Sequence, residues 1–575
     1  MIPDLPFVSR RSVVHATHGM VSSSQPLATQ AGVDILKKGG NAADAAVAVA
    51  AALNVTEAAS TGIGGDVFCL YYDAKKRNVT GLNGSGRSPS ALTVEHVRKE
   101  AGPKTNVVPP QSVHAITVPG AAAAWVDTVE KFGSGKLDLA TILEPAKMMA
   151  KEGFPVSHIS ARLWGEEEET LRKRNPGRGN MLINNERAPH EGNIIQLPEL
   201  AETFDMLAKH GKEGFYKGRI GKAIVDAIQA EGGLMTLEDL AAHDTEVIDV
   251  PLSLEYHDWT IWEIPPNGSG ITTLIALGIM EALEEQHGLD IKSMNPHSPQ
   301  YLHIVIEALR IAFADTRYYV TDPQVQPCPT EKLLSKEYLK ERAKLIKLDK
   351  RNDDVQKGYP DDDSNTVYFS VVDGEGNACS FINSNFMHFG SHIVPEGCGF
   401  ALHNRGANFV LIEDHPNCIG PNKRPYHTII PSMITRKTPQ GDHDLEACFG
   451  VMGGYMQPQG QVQVIMNLMH FLSNPQHALD TPRVCISPPP PKGGATVAYT
   501  FTDVQDSVVY IEDGIPQETI RQLEEMGHVC YRLHGYARSM FGRGQVIRVK
   551  NDEGTGRLVL AAGSDPRGDG HSAGW

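Results

Sequence analysis

Two hydroxyl residues face each other in a segment whose pattern predicts a β-hairpin. Residues 366–371 alternate between polar or aromatic side chains and Val or Phe, and acids and glycines after Val372 mark a tight turn before a second strand-like run. If Val372 pairs with Ala378, the register places Thr366 opposite Ser384, with Cβ atoms about 4.5–5.5 Å apart. A threonine hydroxyl beside a second hydroxyl could act as a nucleophile, although an ordinary buried hairpin has the same pattern and a one-residue slip would separate the pair.

The elements around this hairpin indicate a layered fold of helices and strands. Residues 26–60 predict two helices broken near Gly39 and Gly40, and the second, at 42–53, is apolar on nearly every face, which is typical of a buried helix. An acidic stretch at 347–365 has no apolar period, so we expect an exposed connector there. Short strand-like runs follow it, and a helix-rich part followed by a strand-containing part indicates a layered fold.

Composition and charge exclude several classes of protein. The chain has 575 residues, a formal net charge of −16 and a hydrophobic fraction of 41%. This charge has the wrong sign for binding phosphate backbones, and the apolar run at 42–53 is too short to span a membrane, so we expect neither a nucleic-acid nor a membrane partner. Residues 1–6 contain an acid and two prolines where a secretory signal has basic and apolar regions, which predicts a cytoplasmic protein with reduced cysteines.

Segment 366–378 resembles the start of the small subunit of γ-glutamyltransferases, which are also called glutathione hydrolases. Other segments similar to that family stand in the same order along the chain, at 39–45, 61–66, 118–120, 389–391, 453–454 and 564–567. The resemblance covers essentially the whole chain and is closest to the intracellular glutathione-hydrolase-like and cephalosporin-acylase-like branch. It implies an α+β fold, the four-layer αββα sandwich of N-terminal nucleophile hydrolases.

The same resemblance implies a proenzyme that cuts itself. Cleavage between Asn365 and Thr366 would give a large subunit, 1–365, and a small subunit, 366–575, which together form one αββα unit. The new α-amine of Thr366 would be the base that takes the proton of its own hydroxyl. We therefore expect a heterodimer of the chain's two pieces, or a dimer of such heterodimers, with no metal and no organic cofactor.

Further site residues are carried over from the family by position. Ser384 stands where the family has a second hydroxyl bound to the nucleophile, in agreement with the hairpin register. Gly453 and Gly454 match the glycine pair whose N–H groups face the developing oxyanion. Arg87 lies near the family arginine that holds the substrate α-carboxylate, for which a guanidinium fork is suited.

The positions that recognise the substrate in the family are changed in this chain. Arg405 and Asn408 replace the usual glutamine and aspartate, so a carboxylate that would pair with the α-amine of a γ-glutamyl group is lost. His427 and Thr428 replace a serine pair that holds the α-carboxylate. Asn385 lies beside the place of a further family asparagine and can substitute for it.

These residues leave several functions open. The leading expectation is amide hydrolysis of γ-glutamyl compounds such as glutathione, with transfer to a second amine as a side reaction. The extra charge of Arg405 indicates an alternative, an acylase for glutaryl- or β-lactam-type amides. A pseudoenzyme scaffold that does not cut itself is a further alternative, and a metal hydrolase built on His388, His392 and His403 is weaker because their spacing matches no known ligand set.

Overall fold

A computed structural model describes residues 11–176, 181–355, 359–360, 366–471, 474–489, 501–502 and 506–575. Its helices are α1 Pro26–Lys37, α2 Ala42–Thr56, α3 Val94–Ala101, α4 Ala121–Phe132, α5 Leu139–Glu152, α6 His158–Arg174, α7 Pro198–Tyr216, α8 Gly218–Ala230, α9 Leu237–Ala241, α10 Ile271–His287, α11 Pro299–Tyr319, α12 Thr330–Leu333, α13 Lys336–Ala343, α14 Met456–Met466, α15 Pro475–Asp480 and α16 Gln517–Glu525. In these described ranges, no helix is both long and apolar enough to cross a membrane.

The strands are mostly short and belong to two large sheets and three small ones. They are β1 Val14–Ala16, β2 Gly19–Ser23, β3 Asp66–Asp73, β4 Asn78–Gly84, β5 Phe154–Pro155, β6 Ile194–Ile195, β7 Glu246–Ile248, β8 Leu252–Tyr256, β9 Trp259–Glu263, β10 Tyr359–Pro360, β11 Val367–Asp373, β12 Ala378–Ser384, β13 Ser432–Lys437, β14 His443–Met452, β15 Val484–Ser487, β16 Phe501–Thr502, β17 Val508–Glu512, β18 Cys530–Leu533, β19 Arg543–Asn551, β20 Leu558–Ser564 and β21 His571–Gly574.

Two antiparallel sheets of seven strands form the centre of the molecule. The first has the order β1-β20-β19-β14-β13-β9-β8, and the second has the order β21-β2-β11-β12-β3-β4-β7. Each sheet mixes strands from before residue 365 with strands from after it. The two pieces that cleavage would produce are therefore joined by backbone hydrogen bonds in both sheets.

Three apolar cores separate four layers. Side chains alternate between the two faces of a strand, so Phe369 of β11 packs among the helices α1, α2, α4, α5 and α7, whereas Tyr368 packs between the two sheets. In the same way Phe449 of β14 faces α10, α11 and α14, while Cys448 faces the other sheet. The order of layers is helix, sheet, sheet, helix, which confirms the expected αββα fold class.

Helix α2 shows why the sequence at 42–56 forms a buried helix. The Asn41 side chain accepts hydrogen bonds from the N–H groups of Ala43 and Asp44, and the Asp44 carboxylate accepts from the N–H of Asn41. These reciprocal hydrogen bonds form a capping box at the start of the helix. Every residue from Ala42 to Thr56 is buried. The predicted pair of helices is thus confirmed, with the second extending three residues further than expected.

The stretch expected to be an exposed connector is packed at its beginning. Val355 is fully buried in the core beside the first sheet, and the N–H of Asn352 donates to the buried carboxylate of Glu307 at 2.9 Å. The expectation of exposure is wrong for these two residues because an apolar side chain and a buried acceptor hold them. The proposed cleavage residue Asn365 lies outside the described residues.

A buried ion pair joins the two parts of the chain across the sandwich. The Arg543 guanidinium of β19 lies 2.8 Å from the Glu57 carboxylate, which follows α2. We expect Arg543→Met to lower the free energy of unfolding by about 3–5 kcal/mol, because it leaves a buried carboxylate without its cation. Burial already raises the pKa of Glu57, so the loss should grow as the pH rises and the carboxyl gives up its proton. Thermal melts at several pH values measure this.

The matched control for Arg543→Met breaks an exposed ion pair. Arg77 pairs with Asp444 on the surface, with both side chains partly in solvent. Arg77→Met should change the melting temperature little at any pH, since exposed pairs contribute little to stability. Equal losses in the two variants would contradict the view that the Glu57 pair holds the two parts together.

Candidate active site

The hairpin register brings the two predicted hydroxyl residues together. Val372 pairs with Ala378 as expected, and the ladder continues to the start of β11. Thr366 therefore lies opposite Ser384, and their Oγ1 and Oγ atoms are 3.0 Å apart. Both side chains are fully buried. The predicted register is confirmed, and the pair forms a hydrogen-bonded dyad at one end of the second sheet.

The backbone at Phe386 directs an N–H group at this dyad. Its N–H donates to Ser384 Oγ at 2.8 Å. Phe386 has a φ of +75°, a conformation that costs free energy for a side chain other than glycine or asparagine. Ser384 Oγ accepts this N–H through a lone pair, and its hydroxyl proton stays available for donation to Thr366 Oγ1.

A buried carboxylate lies beside the dyad and gathers three basic side chains. Asp66 pairs with Ser384 across β3 and β12. Its Oδ2 atom is 3.1 Å from His403 Nδ1, 3.2 Å from Arg405 Nε and 3.1 Å from His427 Nε2, and all four side chains are fully buried. We call Asp66, His403, Arg405 and His427 the Asp66 cluster.

The Asp66 cluster holds its carboxylate ionised. Burial by itself would raise the pKa of Asp66, but His403 and His427 beside it lower the pKa by more, to well below its usual range. Burial, together with the charge of Arg405, lowers the pKa of His427 to about 3. At neutral pH His427 is therefore uncharged, and Asp66 supplies the negative charge that faces Arg405.

Arg405 lies against Phe386, whose N–H contacts the dyad, and is fixed on two sides. Its guanidinium lies 4.5 Å from the centre of the Phe386 ring, and its Nη1 donates to Thr428 Oγ1 at 2.7 Å. Asp66 compensates the charge of Arg405, so the positive charge counted from the sequence at this position is balanced. The structure brings four sequence-predicted residues, Arg405, His427, Thr428 and Ser384, into one contact network.

The predicted glycine pair joins β14 to α14. Gly453 and Gly454 have φ angles of +126° and +52°, which favour glycine. Their carbonyl oxygens accept the N–H groups of Met456 and Gln457 at 2.9 and 3.0 Å, in the first turn of the helix. The pair therefore lies at the positive end of α14, a place suited to stabilising a negatively charged oxygen.

The contacts between the two sheets indicate how the glycine pair lies relative to Thr366. Phe449 is close to Ser380, since Ser380 Oγ lies 3.5 Å from its carbonyl oxygen, and a Cβ at Gly450 would lie 2.5 Å from the Tyr368 ring. Since Ser380 pairs with Ser370 in the hairpin, Phe449 lies near Ser370 and Gly450 lies near Tyr368. Strand β14 therefore approaches the start of β11 as its residue numbers increase. The end of β14 accordingly leads toward the end of the sandwich where Thr366 lies.

The side chains of two predicted substrate-binding residues, Arg87 and Asn385, make their contacts outside the Asp66 cluster and the dyad. Arg87 pairs with the buried Asp322 and donates to Gln324 Oε1 at 2.6 Å. Asn385 donates from Nδ2 to Ala58 O at 3.3 Å. In the described part of the chain, no hydrogen bond or ion pair joins Arg87 to the Thr366 dyad. Its predicted role as a carboxylate clamp stays a prediction.

Asn408 belongs to a second buried network next to the glycine pair. Its Oδ1 accepts the hydroxyl of Tyr455 at 3.0 Å, and Tyr455 directly follows Gly454. Arg317 of α11 contacts the same hydroxyl. Asp66, Arg317 and Tyr455 were not predicted from the sequence, and His403 was considered only as a metal ligand. Asp66 carried a signal, since it ends the family-like segment 61–66.

The three histidines considered for a metal hydrolase do not meet at one point. His388 and His392 both face Glu167, with His392 Nε2 2.9 Å from its carboxylate, whereas His403 belongs to the Asp66 cluster. Across the described residues there is no group of three or more His, Cys, Asp or Glu side chains placed to hold a metal ion.

Known proteins match this chain over nearly its whole length. A family model described as Gamma-glutamyltranspeptidase matches residues 28–575. The glutathione hydrolase-like YwrD proenzyme of Bacillus subtilis (strain 168) is 34% identical over 98% of this chain and 99% of that protein. The oxamate amidohydrolase proenzyme of Klebsiella pneumoniae subsp. pneumoniae is 30% identical over 97% of this chain and 99% of that protein.

A solved structure agrees with both the fold and the family. The crystal structure of cephalosporin acylase from Bacillus halodurans has a TM-score of 0.85 and 39% sequence identity, and the match covers 100% of this chain and 98% of that one. These similarities support an enzyme that hydrolyses amides. The chain is a γ-glutamyltransferase-like hydrolase and belongs to the gamma-glutamyltranspeptidase family.

Proposed function

We propose that this chain is a self-cleaving threonine amidohydrolase whose nucleophile is Thr366 Oγ1. The observation that carries the proposal is the 3.0 Å contact between Thr366 Oγ1 and Ser384 Oγ at the start of β11. A threonine hydroxyl needs a neighbouring base and donors for the charge that develops on oxygen. Both are available at this position once the peptide bond before Thr366 is broken.

The self-cleavage step moves one acyl group. Thr366 Oγ1 attacks the carbonyl carbon of Asn365, the C–N bond breaks and the hydroxyl proton goes to the departing α-nitrogen, so that an ester replaces the amide. Water then hydrolyses this ester. The products are a carboxylate at Asn365 and an α-amine and hydroxyl at Thr366.

The same hydroxyl then acts on an external amide. The α-amine takes the proton of Thr366 Oγ1, which attacks the substrate carbonyl, while the N–H groups of Gly453 and Gly454 face the developing oxyanion. The amine then gives its proton to the leaving nitrogen, and water hydrolyses the threonyl ester. An α-amine has an unperturbed pKa of about 7.7–8.0, so kcat/KM should rise through that range as the amine loses its proton.

Burial of the dyad supports the requirement for cleavage. The side chains of Thr366 and Ser384 have no exposed surface in the uncut chain, so a substrate cannot reach the nucleophile without a change at this place. After the bond before Thr366 is broken, this residue is attached to the chain only through its carbonyl group. The interleaved strands of both sheets would keep the two pieces together as a heterodimer.

The substrate is an amide whose acyl part becomes the ester on Thr366. The relatives include a glutathione hydrolase-like protein, an oxamate amidohydrolase and a cephalosporin acylase, which differ in the acyl group that their names imply. A γ-glutamyl amide such as glutathione stays our expectation from the family. An acylase for carboxylate-bearing chains is the second candidate, and the replacement of the family aspartate by Asn408 favours it.

The intact mass of the purified protein tests the proposal. We expect two species with the masses of 1–365 and 366–575, and N-terminal sequencing of the smaller one should begin at Thr366. The cleaved protein should release p-nitroaniline from acyl p-nitroanilides in a burst that reports the acyl-enzyme. A fully active protein with an unbroken backbone between 365 and 366 would refute the mechanism.

A further inference from the structure

The ion pair between Glu57 and Arg543 lies between the segments that support the two halves of the candidate active site. Arg543 Nη1 donates to Glu57 Oε1 at 2.8 Å, and Ser24 Oγ donates to the other oxygen of the same carboxylate. Glu57 is 1% exposed and Arg543 is 3% exposed. A charged hydrogen bond in such a desolvated place is strong, so it holds the two backbone segments at a defined distance.

The backbone of Glu57 begins a turn directly after α2. Its carbonyl oxygen accepts the N–H of Ser60 at 2.9 Å, which closes the turn 57–61. The carboxylate of the same residue is held by Arg543 at the start of β19. The turn therefore cannot shift relative to β19 without breaking the ion pair.

This turn holds the loop that follows the dyad. Two carbonyl oxygens of the turn, those of residues 59 and 60, accept the N–H groups of Phe389 and Asn385 at 2.7 and 3.1 Å. Phe386 lies between these two anchors and donates its N–H to Ser384 Oγ at 2.8 Å. The turn after α2 thus determines where the loop lies and, through the Phe386 N–H, supports the dyad.

The backbone of Arg543 lies against the glycine pair on the other sheet. Arg543 is paired with Met452, the last residue of β14, which directly precedes Gly453. A Cβ at Gly453 would lie 3.0 Å from the Cα of Gly542, and a Cβ at Gly542 would lie 2.2 Å from Met452 O. Because the two segments approach each other so closely, the place of Arg543 also determines that of the glycine pair.

The side chain of Arg543 follows a confined path to its partner. A Cβ at Gly568 would lie 2.5 Å from Arg543 Cδ, so a larger residue there would displace the guanidinium. Burial raises the pKa of Glu57, and the charge of Arg543 opposes that rise. The surroundings therefore fit both the shape and the charge of the guanidinium.

We propose that Glu57 and Arg543 are positioning residues that set the spacing between the Thr366 dyad and the glycine pair. This inference rests on the proposed threonine mechanism, in which one substrate carbonyl group has to meet both. The dyad belongs to the second sheet and the glycine pair follows a strand of the first sheet, so their distance depends on how the two sheets are held together. A displacement of about 1 Å at reacting groups can lower a rate by about 100-fold.

Arg543→Met tests this role through the acylation rate of each active site. The amplitude of the p-nitroaniline burst counts the active sites, and its rate constant reports acylation of Thr366. We expect the rate constant to fall by about 10- to 100-fold, while the substrate concentration for half-saturation stays within about threefold, because neither residue binds substrate. Arg543→Lys keeps the cation and should recover most of the rate. An unchanged rate constant in Arg543→Met would overturn the inference.

Glu57→Gln carries the same test if Arg543→Met does not fold or stays uncut. It keeps the shape of the side chain and its contact with Ser24 but weakens the contact with Arg543. The acylation rate constant should therefore fall by about 5-fold. A rate constant equal to that of the wild type would again contradict the positioning role.

A double variant separates positioning from stability. Glu57→Gln combined with Arg543→Met leaves no charge in the pair, so its melting temperature should lie above that of Arg543→Met alone. Its acylation rate constant should stay low, because the link between the two segments is still absent. If the rate recovered together with the melting temperature, the ion pair would be only structural and the inference would be wrong.

Arg310→Met is the matched control. Arg310 pairs with Glu307 of α11 at 2.7 Å, and both side chains are as deeply buried as the Glu57 pair. Losing this cation should lower the melting temperature to a similar degree and leave the acylation rate constant of each active site unchanged. An equal fall of the rate constant in Arg310→Met and Arg543→Met would show that any loss of stability slows the reaction, which refutes a specific positioning role.

The wild-type chain shows whether this inference or the proposed function has failed. If the wild type cuts itself before Thr366 and gives a burst, and Arg543→Met acylates equally fast, only the positioning role is refuted. If the wild type hydrolyses anilides without cutting itself and keeps its activity in Thr366→Ala, the threonine mechanism is refuted, and the spacing assigned to the ion pair is refuted with it.

Discussion

Thr366→Ala is expected to leave the protein as a single piece of 575 residues with kcat/KM lowered by a factor on the order of 10⁶, as when a hydrolase loses its nucleophile. One oxygen atom is responsible for both effects, because the same Oγ1 would break the bond before residue 366 and attack the substrate. A denaturing gel and a p-nitroanilide assay on the same preparation measure the two effects together.

The control for Thr366→Ala keeps the hydroxyl and removes only the methyl group. Thr366→Ser should still cut itself and retain measurable turnover, since Ser384 Oγ lies 3.0 Å from Thr366 Oγ1 and can donate to either hydroxyl. Melting temperatures of both variants should stay close to that of the wild type, which shows that the fold is intact. If Thr366→Ala still appeared as two pieces, a different residue would have to cut the chain.

Asp66→Asn should cause the second large effect, a loss of about 3–5 kcal/mol in the free energy of unfolding. Asparagine has nearly the same shape, so packing is retained while the charge that faces Arg405 Nε at 3.2 Å is removed. Because Arg405 also contacts the Phe386 ring, we expect kcat/KM to fall as well. Thermal and denaturant unfolding measure the stability, and the anilide assay measures the activity.

The pH dependence of the Asp66→Asn effect follows from the lowered pKa of Asp66. A carboxyl whose pKa is lower in the folded protein than its ordinary value of 3.8 stabilises the fold above that value, and this contribution is lost as the pH falls through the folded pKa. The difference between wild type and variant should thus be constant near neutral pH and shrink in acid. A difference that grew in acid would contradict an ionised Asp66.

Two further variants show whether the loss comes from the stranded cation. Asp66→Asn combined with Arg405→Met should recover part of the stability, because no buried charge then lacks a partner. Asp258→Asn makes the same exchange at an exposed position and should leave the melting temperature unchanged. Strictly additive losses in the double variant would show that Asp66 and Arg405 do not interact.

The parts of the site that depend on neighbouring segments of the chain were predictable. Thr366 and Ser384 are 18 positions apart in one hairpin, so the turn and the alternation of side chains determine which residues face each other. The helices α1 and α2 were recognisable for the same reason, since the break at Gly39 and Gly40 and the apolar residues of the second helix are local features. The four-layer fold required the family resemblance, because strand order is not visible in local patterns.

Other parts of the site depended on contacts between distant segments. Arg405 and Asp66 are 339 positions apart, so a count of charges along the sequence assigned an excess positive charge to Arg405 that Asp66 cancels. Val355 stands in an acidic stretch that indicated an exposed connector, yet it is buried. Local composition reports on the average environment of a segment, and single side chains can depart from it.

The amino-acid sequence by itself determined the family, the dyad of Thr366 and Ser384, and the loss of the family carboxylate at Asn408. The tertiary structure alone decided which charges compensate each other and which atom of Asn408 accepts the Tyr455 hydroxyl. The physical reason is that charge pairing and hydrogen-bond direction depend on which groups meet in space. Arg317 and Tyr455, which set the polarity of the Asn408 amide, come from α11 and from the turn before α14.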